Sequence, residues 1–251
     1  MTDNSVHPGQ GRAAWGPGTP VWTDLSTPDV AEAVRFYGAL FGWTASEVPG
    51  GGGYTMFLLD GAPVAGAGPL HGLDEENEWC TYLLTDDVEE TAHRVATAGG
   101  AVQKPPYDVM TQGRTAVFLD PSGAEFSAWE PREMAGAAVF NVPGALAWNE
   151  LSTPDPVLAK RFYGDVFGWT ASDGDYITWD SAGRPIGGLV PVDEPAPARW
   201  MVYFGVADCD ASVAQATSLG ATVAVKPTDI PWGRFATLND PQGAFFSIFQ
   251  G

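Results

Sequence analysis

The sequence predicts an α+β protein built as two similar domains in tandem, each made of two βαβββ modules. Three observations carry this expectation. A twelve-residue phrase occurs twice with two changes, RFYGALFGWTAS at 35–46 and RFYGDVFGWTAS at 161–172. Leu25 and Leu151, Arg35 and Arg161, and Trp43 and Trp169 all lie 126 positions apart, and the copy continues through small deletions to Asp120-Pro121-Ser122-Gly123 and Asp240-Pro241-Gln242-Gly243. Within a copy the pattern repeats again, because Asp29 to Gly42 and Asp86 to Gly99 share a 13-residue separation.

The elements follow in order. Val21 to Ser26 alternates in the manner of a half-buried strand. LSTPD then opens a helix, with Thr27 or Thr153 as the expected cap and Pro28 or Pro154 in the first turn. Ala33, Phe36, Tyr37, Leu40 and Phe41 form one apolar stripe, repeated by Ala159, Phe162, Tyr163, Val166 and Phe167, and Gly42 and Gly168 end it. The duplicated phrase therefore reads first as a helix packing on a sheet. Strand-like runs follow at Tyr54 to Leu59 and Pro63 to Gly68, with Gly50 to Gly53 as a hairpin tip. A second round gives a strand at Trp79 to Thr85, a helix at Val88 to Ala98, and strands near Ala101 to Lys104, Thr115 to Leu119 and Ala124 to Trp129. The expected organisation is a flexible arm over 1–19, domains at 20–131 and 145–250, and a linker at 132–144.

Composition restricts the function classes. With 31 Asp and Glu against 12 Lys and Arg, the net charge of −19 argues against nucleic acid, whose phosphates it would repel, and favours solubility or attraction of small cations. No run approaches the roughly 18 to 20 apolar residues that span a bilayer, so no membrane partner is expected. The N-terminus lacks the basic start and apolar core of a secretory signal, and a cytoplasmic location is expected. Cys80 and Cys209 read as two free thiols.

A strand, a helix beginning near an Asp and ending in FYxxxFGW, and a closing DPxGxxFS strand resemble the glyoxalase, bleomycin-resistance and extradiol-dioxygenase (vicinal oxygen chelate) superfamily, from Pro20 to Gln250. The resemblance implies that each domain is a curled mixed sheet around a cup with helices outside. It also implies a divalent metal held by His, Gln or Glu on the first and last strands of the modules. At the positions matching those ligands stand Trp22, Cys80 and Ser127 in the first copy and Trp148, Met201 and Ser247 in the second, with a fourth place in Ala65 to Ala67 or Gly187 to Leu189. His7, His71 and His93 fall in the arm, a loop and the second helix. No cofactor and no catalytic metal are therefore expected.

Residues two apart share a strand face. The cup of the first domain should then show Trp22, Asp24 and Ser26, Cys80 and Tyr82, and Glu125, Ser127 and Trp129. The second should show Trp148, Glu150 and Ser152, Met201 and Tyr203, and Phe245, Ser247 and Phe249, while Leu25, Phe126, Ala128, Leu151, Phe246 and Ile248 face the helices. Trp22 and Trp148 either line the cups or plug them, and Tyr54 and Tyr176 are compatible with either face. The expected partner is a small molecule, aromatic or cationic, bound by rings and carboxylates in a protein that is a monomer or homodimer. The alternative is a metal-independent enzyme with Asp24 or Glu150 as general acid or base. A metal-dependent lyase or dioxygenase is the reading that the fold alone suggests and the ligand positions disfavour. Because Phe245 is the counterpart of Glu125 in the second copy, the cups are not equivalent, and the first, with two carboxylates, is the expected site if one alone is active.

Overall fold

The computed structural model describes residues 16–70, 76–174, 176–193 and 195–251. The first copy runs β1 (Pro20–Thr27), α1 (Val30–Phe41), β2 (Thr44–Glu47), β3 (Thr55–Leu59), β4 (Ala62–Pro69), β5 (Glu78–Leu84), α2 (Val88–Thr97), β6 (Ala101–Val109), β7 (Gly113–Leu119) and β8 (Glu125–Pro131). The second runs β9 (Leu146–Thr153), α3 (Pro156–Phe167), β10 (Thr170–Ala171), β11 (Ile177–Ser181), β12 (Arg184–Pro191), β13 (Arg199–Gly205), α4 (Cys209–Ser218), β14 (Thr222–Ile230), β15 (Gly233–Asn239) and β16 (Phe245–Gln250). Each copy forms one open, mixed, eight-stranded sheet. The orders are β2-β3-β4-β1-β5-β8-β7-β6 and β10-β11-β12-β9-β13-β16-β15-β14. Each module thus contributes four neighbouring strands, and β1–β5 and β9–β13 join the halves antiparallel. This is the tandem βαβββ architecture that the repeat predicts.

The helix stripe is buried as its period requires: Ala33, Phe36, Tyr37, Leu40 and Phe41 in α1, and their counterparts in α3. Gly42 and Gly168 end the helices in the left-handed region, at φ 74° and 73°. The caps differ from the sequence expectation. Asp29 and Asp155, not Thr27 and Thr153, accept the capping N–H bonds, from Glu32 and Leu158. The reason is that β1 and β9 extend through the two threonines, whose buried hydroxyls instead accept the Asp29 and Asp155 N–H groups. β2, with four exposed residues, was not anticipated, because an exposed edge carries no apolar alternation.

The helices do not pack only within their own copy. One core cluster joins α1 and its strands to Val202, Phe204, Cys209, Ala216, Phe246 and Ile248 of the second copy. The other joins Leu83, Val88, Val95, Phe118 and Phe126 to α3 and its strands. Two matched polar contacts lock this exchange. Tyr37 donates its hydroxyl to Asp240 at 3.1 Å and accepts from Trp79 Nε1, while Tyr163 donates to Asp120 at 3.2 Å and accepts from Trp200 Nε1. The duplicated FY…FGW phrase and the DPxG turn are therefore partners across the copies.

The strand leaders exchange in the same way. Gly144 closes against Phe41 and Leu59 of the first copy and accepts the Trp43 Nε1 bond through its carbonyl. Gly18 packs against Phe167 and Trp169 of the second copy, so closely that a Cβ would overlap the Trp169 ring, and Pro17 accepts from Ser181. Residues 16–19 are thus packed, whereas 1–15, including His7, and 71–75, including His71, lie outside the described residues. His93 lies exposed on α2. The segment 132–144 passes from the first sheet to the second: Ala137 and Ala138 donate to the carbonyls of Val21 and Pro63, and Pro143 bridges to Gly205.

Candidate functional site

The inner face of the first sheet centres on Asp24. In register it faces Cys80 on β5 and Gly66 on β4, and Tyr82 lies beside Trp22. One Asp24 carboxylate oxygen accepts two phenol O–H bonds, from Tyr54 and Tyr82, each at 3.0 Å. Trp22 Nε1 donates to the Tyr54 oxygen from behind, at 3.0 Å. The second sheet repeats the arrangement around Glu150. Tyr176 donates to one carboxylate oxygen at 2.7 Å, Tyr203 to the other at 2.8 Å, and Trp148 Nε1 donates to Tyr176 at 2.8 Å.

Tyr54 and Tyr176, left open by the sequence, therefore belong to the centre of each site. The signal was present across the sheet. Gly66 pairs with Asp24 and Gly188 with Glu150, and a Cβ on either glycine would coincide with the hydroxyl of Tyr54 or Tyr176. The glycines leave room for the phenols.

Burial sets the electrostatics. It pushes the Asp24 carboxyl up to about 6, against the opposing effect of the Tyr82 and Tyr54 hydrogen bonds. Glu150 is raised for the same reason, opposed by Tyr176 and Tyr203. All four phenols are pushed up by burial and then by the nearby carboxylate, so they remain protonated donors.

The remaining expected residues divide. Ser127 is buried, 3.3 Å from the Cys80 sulfur, and Ser247 bonds Thr237 at 2.8 Å. Glu125 is half-buried, near enough for its charge to raise the Cys80 thiol. Tyr203 lies beside Phe235, with ring centroids 6.2 Å apart, and Phe249 pairs with Phe235 in register. Trp129 does not present a free ring: it packs with Val21 and Leu84, and its Nε1 donates to the Met134 carbonyl. Trp22 is almost fully buried, so it supports Tyr54, whereas Trp148 is half-buried.

A divalent metal of the kind the resemblance implies does not fit this donor set. Indole, hydroxyl and thioether groups stand where ligands would be needed, and the phenol oxygens fill the space over Gly66 and Gly188. Burial, and then the Glu125 and Asp24 charges, push the Cys80 thiol well above its ordinary value. Among the described residues no group of three or more His, Cys, Asp or Glu side chains is placed to hold a metal ion. Nor, among those residues, is any helix long and apolar enough to cross a membrane.

Comparison with known proteins agrees with the architecture. Residues 19–127 match the Glyoxalase/Bleomycin resistance protein/Dioxygenase superfamily, and residues 148–249 match a glyoxalase-like domain. The Anthracycline biosynthesis protein DauV of Streptomyces sp. (strain C5) is 42% identical over 259 residues, covering 94% of each chain. The Putative glyoxylase CFP32 of Mycobacterium tuberculosis (strain CDC 1551 / Oshkosh) is 40% identical over 253 residues, covering 95% of this chain and 97% of its own. The Mn(II)-bound glyoxalase from Novosphingobium aromaticivorans superposes with a TM-score of 0.67 at 19% identity, covering 94% of this chain and 83% of that one. The 2,3-dioxygenase LapB from Pseudomonas sp. KL28 gives 0.64 at 16%, covering 94% of both. At such identities the two structures speak to the fold alone. With two matched domains and full-length relatives at 40% identity or more, the chain belongs to the glyoxalase/bleomycin resistance protein/dioxygenase superfamily.

Proposed function

We propose that the protein binds a small, flat aromatic or cationic molecule on the inner faces of its sheets, without a metal, as a binding protein of the glyoxalase/bleomycin-resistance type. On this reading each of the domains 20–131 and 145–250 carries one cup, and nucleic acid is not a partner. One observation carries the reading: in both sheets the central carboxylate is already engaged by two phenols, in a network of rings rather than of metal donors. Such a network presents aromatic edges and a buried negative charge, a combination suited to stacking and to cation attraction. The net charge of −19 favours a cationic ligand further. Relatives named for anthracycline biosynthesis, which concerns fused-ring aromatics, point to the same ligand class.

The experiment is equilibrium dialysis of the chelator-treated protein against daunorubicin, an anthracycline, and proflavine, a flat cation. Saturable uptake of one or both, with the compound recovered unchanged, is expected. Absence of saturation for both would sink the reading. A second reading, metal-independent acid or base catalysis, is favoured by the Asp24 carboxyl at about 6, close to the range where a side chain exchanges protons at neutral pH. Conversion of the dialysed compound, lost in Asp24→Asn or Glu150→Gln with uptake retained, would establish that reading in place of the first.

A further inference from the structure

The two sheets carry the same inner network but are covered by different side chains. In the second sheet the turn between β14 and β15 is Pro231-Trp232, and the Trp232 side chain is 60% exposed. Its ring lies 5.3 Å from that of Tyr176, which immediately precedes β11. In strand order β11 and β15 belong to opposite halves of the sheet, so this contact spans the curl from one half to the other. The corresponding turn of the first sheet, between β6 and β7, places Met110 across the same gap. Its Cε lies 3.9 Å from the position of a Cβ on Gly50, between β2 and β3, and the side chain is 52% exposed.

The surfaces below the covers also diverge. Cys80 and Glu125 of the first sheet have Met201 and Phe245 as counterparts in the second, and Glu78 has Arg199. Phe245 is 38% exposed, with the Arg199 guanidinium 4.8 Å above its ring. Large exposed aromatic side chains among the described residues are Trp232 and Phe245, both in the second copy. From Trp232 a continuous path of contacts leads through Tyr176 to Trp148, Glu150 and Tyr203, with Phe235 beside Tyr203. A tryptophan with most of its surface in water at a turn tip adds little to folding, but it has a free face to stack on a planar guest.

We propose that the second sheet is the site of the flat aromatic ligand and that Trp232 determines this preference by stacking on it at the mouth. Met110 gives the first sheet a flexible, non-aromatic cover over a more acidic surface, which disfavours the same guest. This inference rests on the binding reading above and assigns that function to the second cup, in place of the first, which its two carboxylates made the expected site from sequence.

The test is equilibrium dialysis against daunorubicin with the full-length chain and its variants Trp232→Ala, Trp232→Phe and Met110→Ala. Loss of one stacking partner should weaken uptake about tenfold in Trp232→Ala. Trp232→Phe should stay within about threefold and Met110→Ala within about twofold of the parent. Emission assigned to Trp232, as the difference between the parent and Trp232→Phe, should lose its acrylamide quenching at saturation. Uptake unchanged in Trp232→Ala, or a Trp232 that stays quenchable in the saturated protein, overturns the assignment while leaving the binding reading intact. Absence of daunorubicin uptake by the parent chain overturns this assignment, and absence of proflavine uptake as well overturns the binding reading itself.

Discussion

Asp240→Ala is expected to lower the stability of the whole chain by about 3–5 kcal/mol, seen as a reduced urea midpoint. The Asp240 side chain is 4% exposed and accepts three bonds. Backbone N–H groups of Gln242 and Ala244 reach it at 2.9 Å, and the Tyr37 hydroxyl of the other copy at 3.1 Å. Truncation leaves all three donors in a dry environment, where each unmet donor costs about 1–3 kcal/mol. Asp240→Asn retains the carbonyl that receives the two backbone donors and should lose less, about 1–2 kcal/mol. Asp165→Ala, on the exposed side of α3, should change stability by less than about 0.5 kcal/mol. Because Tyr37 belongs to the first copy, amide exchange should accelerate in α1 as well as α4. Acceleration confined to β15 and β16 would contradict the cross-copy lock.

Acidification is expected to stabilise the protein through Asp24. A carboxyl raised from 3.8 to about 6 by folding binds its proton more tightly in the folded state. Its contribution is therefore complete below the unfolded value of 3.8 and is lost as pH rises through about 6. A difference of about two pH units corresponds to about 3 kcal/mol in full, of which about 1.3 kcal/mol falls between about pH 7 and pH 5. Glu150, Asp120, Asp240 and Glu78 are all raised by burial and act in the same direction. Relief of self-repulsion at a net charge of −19 adds to the trend, so the Asp24 share is read from Asp24→Asn, which should flatten the urea-midpoint profile in that window. An unaltered profile in Asp24→Asn would contradict the assignment.

Much of the scaffold is legible in one sequence, because the FY…FGW stripe has a helical period and its duplication fixes the modules. The facing of Trp22, Asp24 and Tyr82 follows from strand alternation, since all three lie within regular strands. Tyr54 and Tyr176 escape that rule, as each immediately precedes its strand, where parity is not set by the pleat. Only the glycines opposite them disclose their direction. The cross-copy lock was not legible: the repeat shows that two helices are equivalent, but not that the Tyr of one copy seeks the DPxG turn of the other. Trp232 was missed because a turn has no period, and its role depends on how far the sheet curls.

The central claim is that phenols, not a metal, occupy the carboxylate at the heart of each sheet. It is tested most directly by elemental analysis of the chain after dialysis against Mn(II) and Zn(II) and then against metal-free buffer. Substoichiometric metal, unchanged by Asp24→Asn and Glu150→Gln, is expected. One ion retained per sheet, and lost from the corresponding sheet in those variants, would contradict it.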